Sequence, residues 1–384
     1  MTLKTVFEPI QIAGCTVPNR VVRTAHATRI GGGFMDDNLI AYHERRARGG
    51  CGLTILEILG VHETSLAPLN MMDPSLDEGY AKLMKAVEPH GMAVFQQVWH
   101  AGHNGATLDG GPPWGPSPVA NPLGADVPIP MTKAMIDEIV AGYGAAARRL
   151  HQAGIDGVEV VASHGYLPAQ FINPRVNRRT DDYNGELDQR LRFLREVIAA
   201  VRAETDEQFI IGLRISADER DPEGLTEDES LEAVKRLQSQ LDYVHIVAGT
   251  SASLGGAIHI VPPMAIAAAY LAGEAATFKA SLSIPLFVTG RINQPQEAEL
   301  ILARGQADVC GMTRALICDP QMPAKTRNGR AEDVRACIAC NQACIGHFHK
   351  GLPIPCIQHP ETRRALPVGE VQPPPRPKRI LGAR

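Results

Sequence analysis

Cys337, Cys340, Cys344 and Cys356 form a Cys-x2-Cys-x3-Cys-x11-Cys run, which gathers four of the chain's eight cysteines near its end. This spacing lets one loop offer three thiolates to a single centre while the fourth returns from a little further on. A cubane iron–sulfur cluster needs that arrangement, with four Cys at the corners of a small tetrahedron. An all-cysteine zinc site is the rival, although such sites usually pair two Cys-x2-Cys knuckles and this run has one. Unmetallated thiols are the third reading. A cluster implies electron transfer, so something else in the chain should exchange electrons with it.

A second set of capable residues is spread through the sequence: His26, Gln97, His100, His164, Tyr166, Arg214, Gly290, Arg291, Thr313 and Arg314. Each stands at the end of a short apolar run rich in β-branched residues. Those runs cover residues 21–26, 53–60, 93–100, 157–163, 209–216, 243–249, 285–290 and 308–314. Between them lie helical stretches of 3.6-residue apolar spacing, such as TKAMIDEIVAGYGAAARRLHQAG, LDQRLRFLREVIAAVRAET and TEDESLEAVKRLQSQ. Eight strands alternating with helices predict a (β/α)8 TIM barrel, an α/β fold, whose chemistry sits at the C-terminal ends of the strands. A doubly wound sheet is the runner-up, but no G-x-G-x-x-G follows the first strand.

Taken singly, Gln97 could satisfy a neighbouring backbone group, His100 could cap a turn, and Arg214 could pair with Glu57 or Glu159. Their joint placement on one barrel face favours a site. The ends of strands 7 and 8 are the usual phosphate position of such barrels, and here they read VTGRI and GMTRAL. Glycine allows close backbone approach and the Arg314 guanidinium can hold charge. A phosphorylated cofactor or substrate is therefore expected. Arg214 would suit negative charge on the N1/C2 carbonyl edge of a flavin, and Gln97 could bond the same pyrimidine ring.

The segments carrying these residues are NRVV from Asn19, QVWHAG from Gln97, EVVASHGYLPAQFINPRVNRRTDDYNG from Glu159, GLRIS from Gly212, VTGRI from Val288 and CIACNQAC from Cys337. From Phe7 to about Pro360 the chain resembles the old yellow enzyme superfamily, and particularly its iron–sulfur branch: bacterial 2,4-dienoyl-CoA reductases, trimethylamine dehydrogenase and anaerobic enoate reductases. The resemblance implies FMN on the barrel mouth and a 4Fe-4S cluster held by Cys337, Cys340, Cys344 and Cys356. It also implies flavin contacts from Ala25, Gln97, Arg214, Arg291 and Arg314, with Tyr166 as proton donor; Gly290 and Thr313 join the cofactor-binding set through the phosphate position. His164 is expected to polarise a substrate carbonyl.

The expected reaction is reduction of an activated C=C bond of enoate, enone or dienoyl type. The alternatives are oxidative N-demethylation or amine dehydrogenation, and a non-catalytic electron-transfer subunit. The sequence departs from simple enone reductases at Val161, where they carry a second His, and from related chains at His103, where Arg is frequent. Ile58 and Val161 stand where trimethylamine dehydrogenase has aromatics. With 5% aromatic residues overall, a cation–π cage is hard to assemble, which ranks amine oxidation below C=C reduction.

A net charge of -4 gives no nucleic-acid footprint. The start, MTLKTVFEPI, has no basic stretch leading into an apolar one, and scattered Cys15, Cys51, Cys310 and Cys318 argue against a disulfide framework, so a soluble cytoplasmic protein is expected. The expected units are residues 1–330 as the FMN barrel, 331–366 as the cluster segment, and 367–384 as a Pro-rich linker and basic tail. FAD and NAD(P)H would sit on a separate or missing domain, with a donor reductase as electron source. The remaining partner is a small-molecule substrate, with no membrane; a monomer and a homo-oligomer both suit the resemblance.

Overall fold

The structure is a computed structural model describing residues 3–124 and 126–362. The linker and tail expected over 367–384, and the last residues of the cysteine segment, lie outside the described residues.

Eight strands pair in parallel in chain order: β1 (Val21–Arg23), β2 (Leu53–Gly60), β3 (Ala93–Trp99), β4 (Gly157–Ala162), β5 (Ile210–Asp218), β6 (Tyr243–Ala248), β7 (Leu286–Val288) and β8 (Val309–Gly311). β8 pairs with β1, which pairs with β2, so the sheet closes into a barrel. Each strand is followed by an outer helix: α1 (Asp37–Arg48), α2 (Leu76–Val87), α3 (Lys133–Gln152), α4 (Arg192–Ala203), α5 (Glu227–Leu237), α6 (Ala272–Ser281), α7 (Pro295–Ala303) and α8 (Thr313–Cys318). The local causes are in the sequence. Thr226 and Glu229 cap each other's backbone N–H at the start of α5. α4 buries Phe193, Leu194, Val197, Ile198 and Val201, one stripe at helical spacing. Among the described residues no helix is long and apolar enough to cross a membrane.

All eight expected strands appear, most of them with shorter ends at the mouth, while β5 runs on to Asp218. β1 stops at Arg23 rather than His26 because Thr24 leaves the ladder: its N–H donates to Thr313 Oγ1 at 3.0 Å, and the two hydroxyls lie 2.5 Å apart. β8 ends at Gly311, where the chain turns into α8.

Strand alternation fills the barrel in layers. At the N-terminal end a hairpin, Ile10–Ile12 paired with Cys15–Val17, packs Ile12 and Val17 against Val22, Leu53, Ile55, Phe95 and Ile210. Above it Tyr243 stacks between Phe287 (4.3 Å) and Phe95 (5.7 Å). Gly212 makes room for this stack, since a Cβ there would lie 2.1 Å from the Tyr243 ring.

Candidate active site

Two residues further along each strand the interior becomes polar. Gln97 and Glu159 are register partners, as are Arg214 and His245. Glu159 is fully buried and accepts from Gln97 Nε2 (2.6 Å), His245 Nδ1 (2.7 Å) and the Tyr243 hydroxyl (3.1 Å). Burial pushes its carboxyl up, but His245, Arg214 and Gln97 outweigh that and hold it below the ordinary range. Burial keeps His245 neutral. Its Nδ1–H then donates to Glu159 while Nε2 accepts from Thr289 Oγ1 at 2.8 Å.

Arg214 sits at the top of this layer with 8% of its surface exposed and lines the cavity above. Glu159 lies within electrostatic reach, but the described hydrogen bond of the guanidinium is a long one, 3.4 Å from Nη2 to His164 Nε2, and its buried Nε has no partner among the described residues. A buried cation this poorly matched needs an anion or a carbonyl edge beside it.

The cavity holds about 600 Å³. Ala25, His26, Gln97, His164, Tyr166, Arg214, Gly290, Arg291, Thr313 and Arg314 all line it, so of the barrel-face set expected from the sequence only His100 falls outside. Its described lining contains three arginines and no Asp or Glu. His100, by contrast, accepts from Gly102 N at 3.1 Å and meets Thr64 Oγ1 at 2.9 Å, which is the turn-capping role.

His164 follows β4 in a left-handed conformation (φ 59) locked by backbone bonds to Ser216 and Ser251. Burial, then Arg214, takes its pKa down to about 3, so the ring is neutral. Nδ1 faces Gly249 O at 3.1 Å and must carry the proton; Nε2 is then an acceptor for Arg214. This tautomer cannot donate to a substrate carbonyl as expected; it steadies Arg214 instead. Tyr166 begins the short helix Leu167–Ile172, with its ring edge-on to Trp99 (5.2 Å) and His164 (6.2 Å). Its hydroxyl has no hydrogen bond to a described residue, and burial raises its pKa, keeping the proton in place.

The cysteine segment packs against this mouth. Ile354 N–H donates to Thr28 O (2.9 Å), and Arg29 reaches Phe348 O (3.2 Å) with its guanidinium over the Phe348 ring. Cys337, Cys340, Cys344 and Cys356 are all half-buried. Ala339 N–H donates to Cys337 Sγ at 3.4 Å. A hydrogen bond from Cys318 holds the Cys356 thiol below its ordinary range. Among the described residues no three His, Cys, Asp or Glu side chains converge where a single metal ion would sit.

Residues 5–333 match the NADH:flavin oxidoreductase / NADH oxidase family. The chain belongs to that family. It is 35% identical over 382 residues to a metal reductase of Desulforamulus reducens, covering 98% of this chain and 56% of that protein. It is 33% identical over 397 residues to the N,N-dimethylglycine/sarcosine dehydrogenase of Chromohalobacter salexigens, covering 99% and 56%. Among solved structures it superposes on 2-naphthoyl-CoA reductase with a TM-score of 0.88 at 28% identity, covering 94% of this chain and 58% of that one. The chain thus spans little more than half the length of these relatives.

The family's flavin is FMN, and this cavity fits it on its own chemistry. It offers an under-partnered buried arginine at its floor, a glutamine whose Oε1 remains free of Glu159, and a rim of Gly290, Arg291, Thr313 and Arg314. The sequence reading missed that the cysteine segment itself supplies cavity wall, through Asn341, Ile345, Phe348 and His349. It also missed the helix Leu254–Ile260, whose Leu254, Ala257 and Ile258 form another side. The one signal available was Asn341 inside the CNQAC run.

Proposed function

We propose that this flavoprotein binds FMN in the barrel-mouth cavity and a 4Fe-4S cluster in the cysteine segment, and reduces an activated C=C bond. The observation that carries this is the convergence of the expected flavin-contact residues and Tyr166 on one cavity whose wall includes the loop between Cys340 and Cys344. Bound FMN would supply hydride to one alkene carbon. Tyr166, held protonated and bound by no described residue, delivers the proton to the other carbon. Arg214, steadied by His164, faces the flavin pyrimidine edge with Gln97, while Arg314, Arg291, Gly290 and Thr313 take the phosphate end.

The four thiols suit a cubane better than zinc. All-cysteine zinc sites usually pair two Cys-x2-Cys knuckles, whereas the single knuckle followed by Cys344 and Cys356 matches the corners of a cubane. Electrons would enter singly through this segment from a donor reductase, and its Ile338, Leu352 and Ile357 are exposed for such an encounter.

A cavity lined by arginines without carboxylates favours neutral or anionic substrates over a bare ammonium. N-Methyl amino acids carry a carboxylate and are the second reading, supported by the 33% identity to the N,N-dimethylglycine/sarcosine dehydrogenase. Two measurements decide. Protein purified without air should show flavin bands over a broad iron–sulfur absorbance. In anaerobic turnover, an enoate or dienoyl thioester should reoxidise the reduced flavin; bleaching of oxidised flavin by an N-methyl amino acid, with no reoxidation by alkenes, would replace the first reading by the second.

A further inference from the structure

Asn341 stands between Cys340 and Cys344 with φ 57, a left-handed conformation that Asn tolerates better than most residues. Both ends of its side-chain amide are engaged. Oδ1 accepts from Arg314 Nη1 at 2.8 Å, and Nδ2 donates to Val261 O at 2.7 Å. The same Arg314 Nη1 donates to Pro262 O at 2.7 Å. One amide therefore joins the cysteine loop, the first turn of α8 and the segment after the helix Leu254–Ile260, and Asn341, Arg314, Val261 and Pro262 all line the cavity. Arg314 also feels Cys337 and Cys344 electrostatically. Both of its described hydrogen bonds use Nη1, which leaves Nη2 and Nε to turn toward the cavity.

We propose that Asn341 is a positioning residue that couples flavin retention to the state of the cysteine segment, by holding the Arg314 guanidinium in the orientation that grips the flavin phosphate. The inference rests on the FMN and cluster readings above. A cluster on the four cysteines would hold the loop, and with it the Asn341–Arg314 contact, in the arrangement described. When the cluster is lost, the loop relaxes, Arg314 gains freedom, and FMN is held less tightly. Linkage is reciprocal, so bound FMN must favour the cluster-loaded segment by the same factor.

The test uses the full chain, deflavinated, with its iron either intact or removed anaerobically by oxidant and chelator. FMN affinity is read from quenching of FMN fluorescence on titration. For the parent, iron removal should weaken FMN by roughly 10-fold, an ordinary size for coupling between sites. Asn341→Gly keeps the left-handed backbone but deletes the clamp; with iron intact it should bind FMN as weakly as the stripped parent, and stripping it should change little more. The proposal is overturned if Asn341→Gly with iron intact binds FMN like the parent, or if stripping weakens it as much as the parent. A parent that takes up no iron or no FMN would overturn this proposal together with the reading beneath it.

Discussion

Tyr166 presents a hydroxyl that burial keeps protonated and that no described residue binds, so the phenylalanine variant isolates that proton. Tyr166→Phe preserves the edge-on packing against Trp99. Substrate should still bind, and stopped-flow reoxidation of the reduced flavin by an alkene should slow by about 10² to 10⁴, the usual scale of a general acid. An unchanged rate would remove Tyr166 from the chemistry. Arg314 is testable by affinity. Arg314→Ala removes a charge-assisted contact of about 1.5 to 3 kcal/mol, and FMN binding followed by fluorescence should weaken roughly 10- to 100-fold. These side chains were legible because Arg, Gln and Tyr at the ends of apolar strands are costly unless used. His164 was legible as a member of the site but not in its role, because which ring nitrogen holds the proton depends on Gly249 O, a group 85 positions away in sequence.

At the scale of elements the eight strands could be read because burial on both faces makes each a continuous apolar run. The hairpin at Ile10–Val17 could not, since its three-residue strands leave too few positions for a period to show. Nor could the docking of the cysteine segment, which depends on contacts such as Ile354 to Thr28 across more than 300 residues. Two predictions belong here. Cys340→Ser should lose iron and acid-labile sulfide, measured chemically, while keeping FMN bound more weakly than the parent, because the pyrimidine contacts lie on the barrel. Gly212→Ala would drive a methyl into the Tyr243 ring; such overpacking costs about 1 to 3 kcal/mol, and thermal unfolding should shift down accordingly.

For the molecule as a whole, burial holds His26, His100 and His164 each down to about 3. A histidine depressed in the folded state stabilises it above the unfolded pKa near 6.5, and that contribution is lost as pH falls toward 3. Buried Glu219, raised to about 7, acts in the opposite sense, its contribution fading as pH climbs from 4.5 toward 7. Glu57 and Asp156 are raised like Glu219, but His43, His103, His245, His259 and His359 are lowered as well; the depressed histidines are the more numerous, so the unfolding temperature should drop steadily below about pH 6.5. His100→Asn, which keeps an acceptor for Gly102 N, should flatten that slope; an unaltered slope would exclude His100 from it. The aromatic stack of Phe95, Tyr243 and Phe287 has a consequence for traffic. It seals the barrel beneath the cavity, so nothing reaches the polar layer from below, and any two molecules that must each touch the same buried ring have to take turns at one door. A soluble hydride donor would therefore compete with the alkene and give parallel double-reciprocal lines, whereas electrons delivered at the cysteine face would arrive without joining that queue.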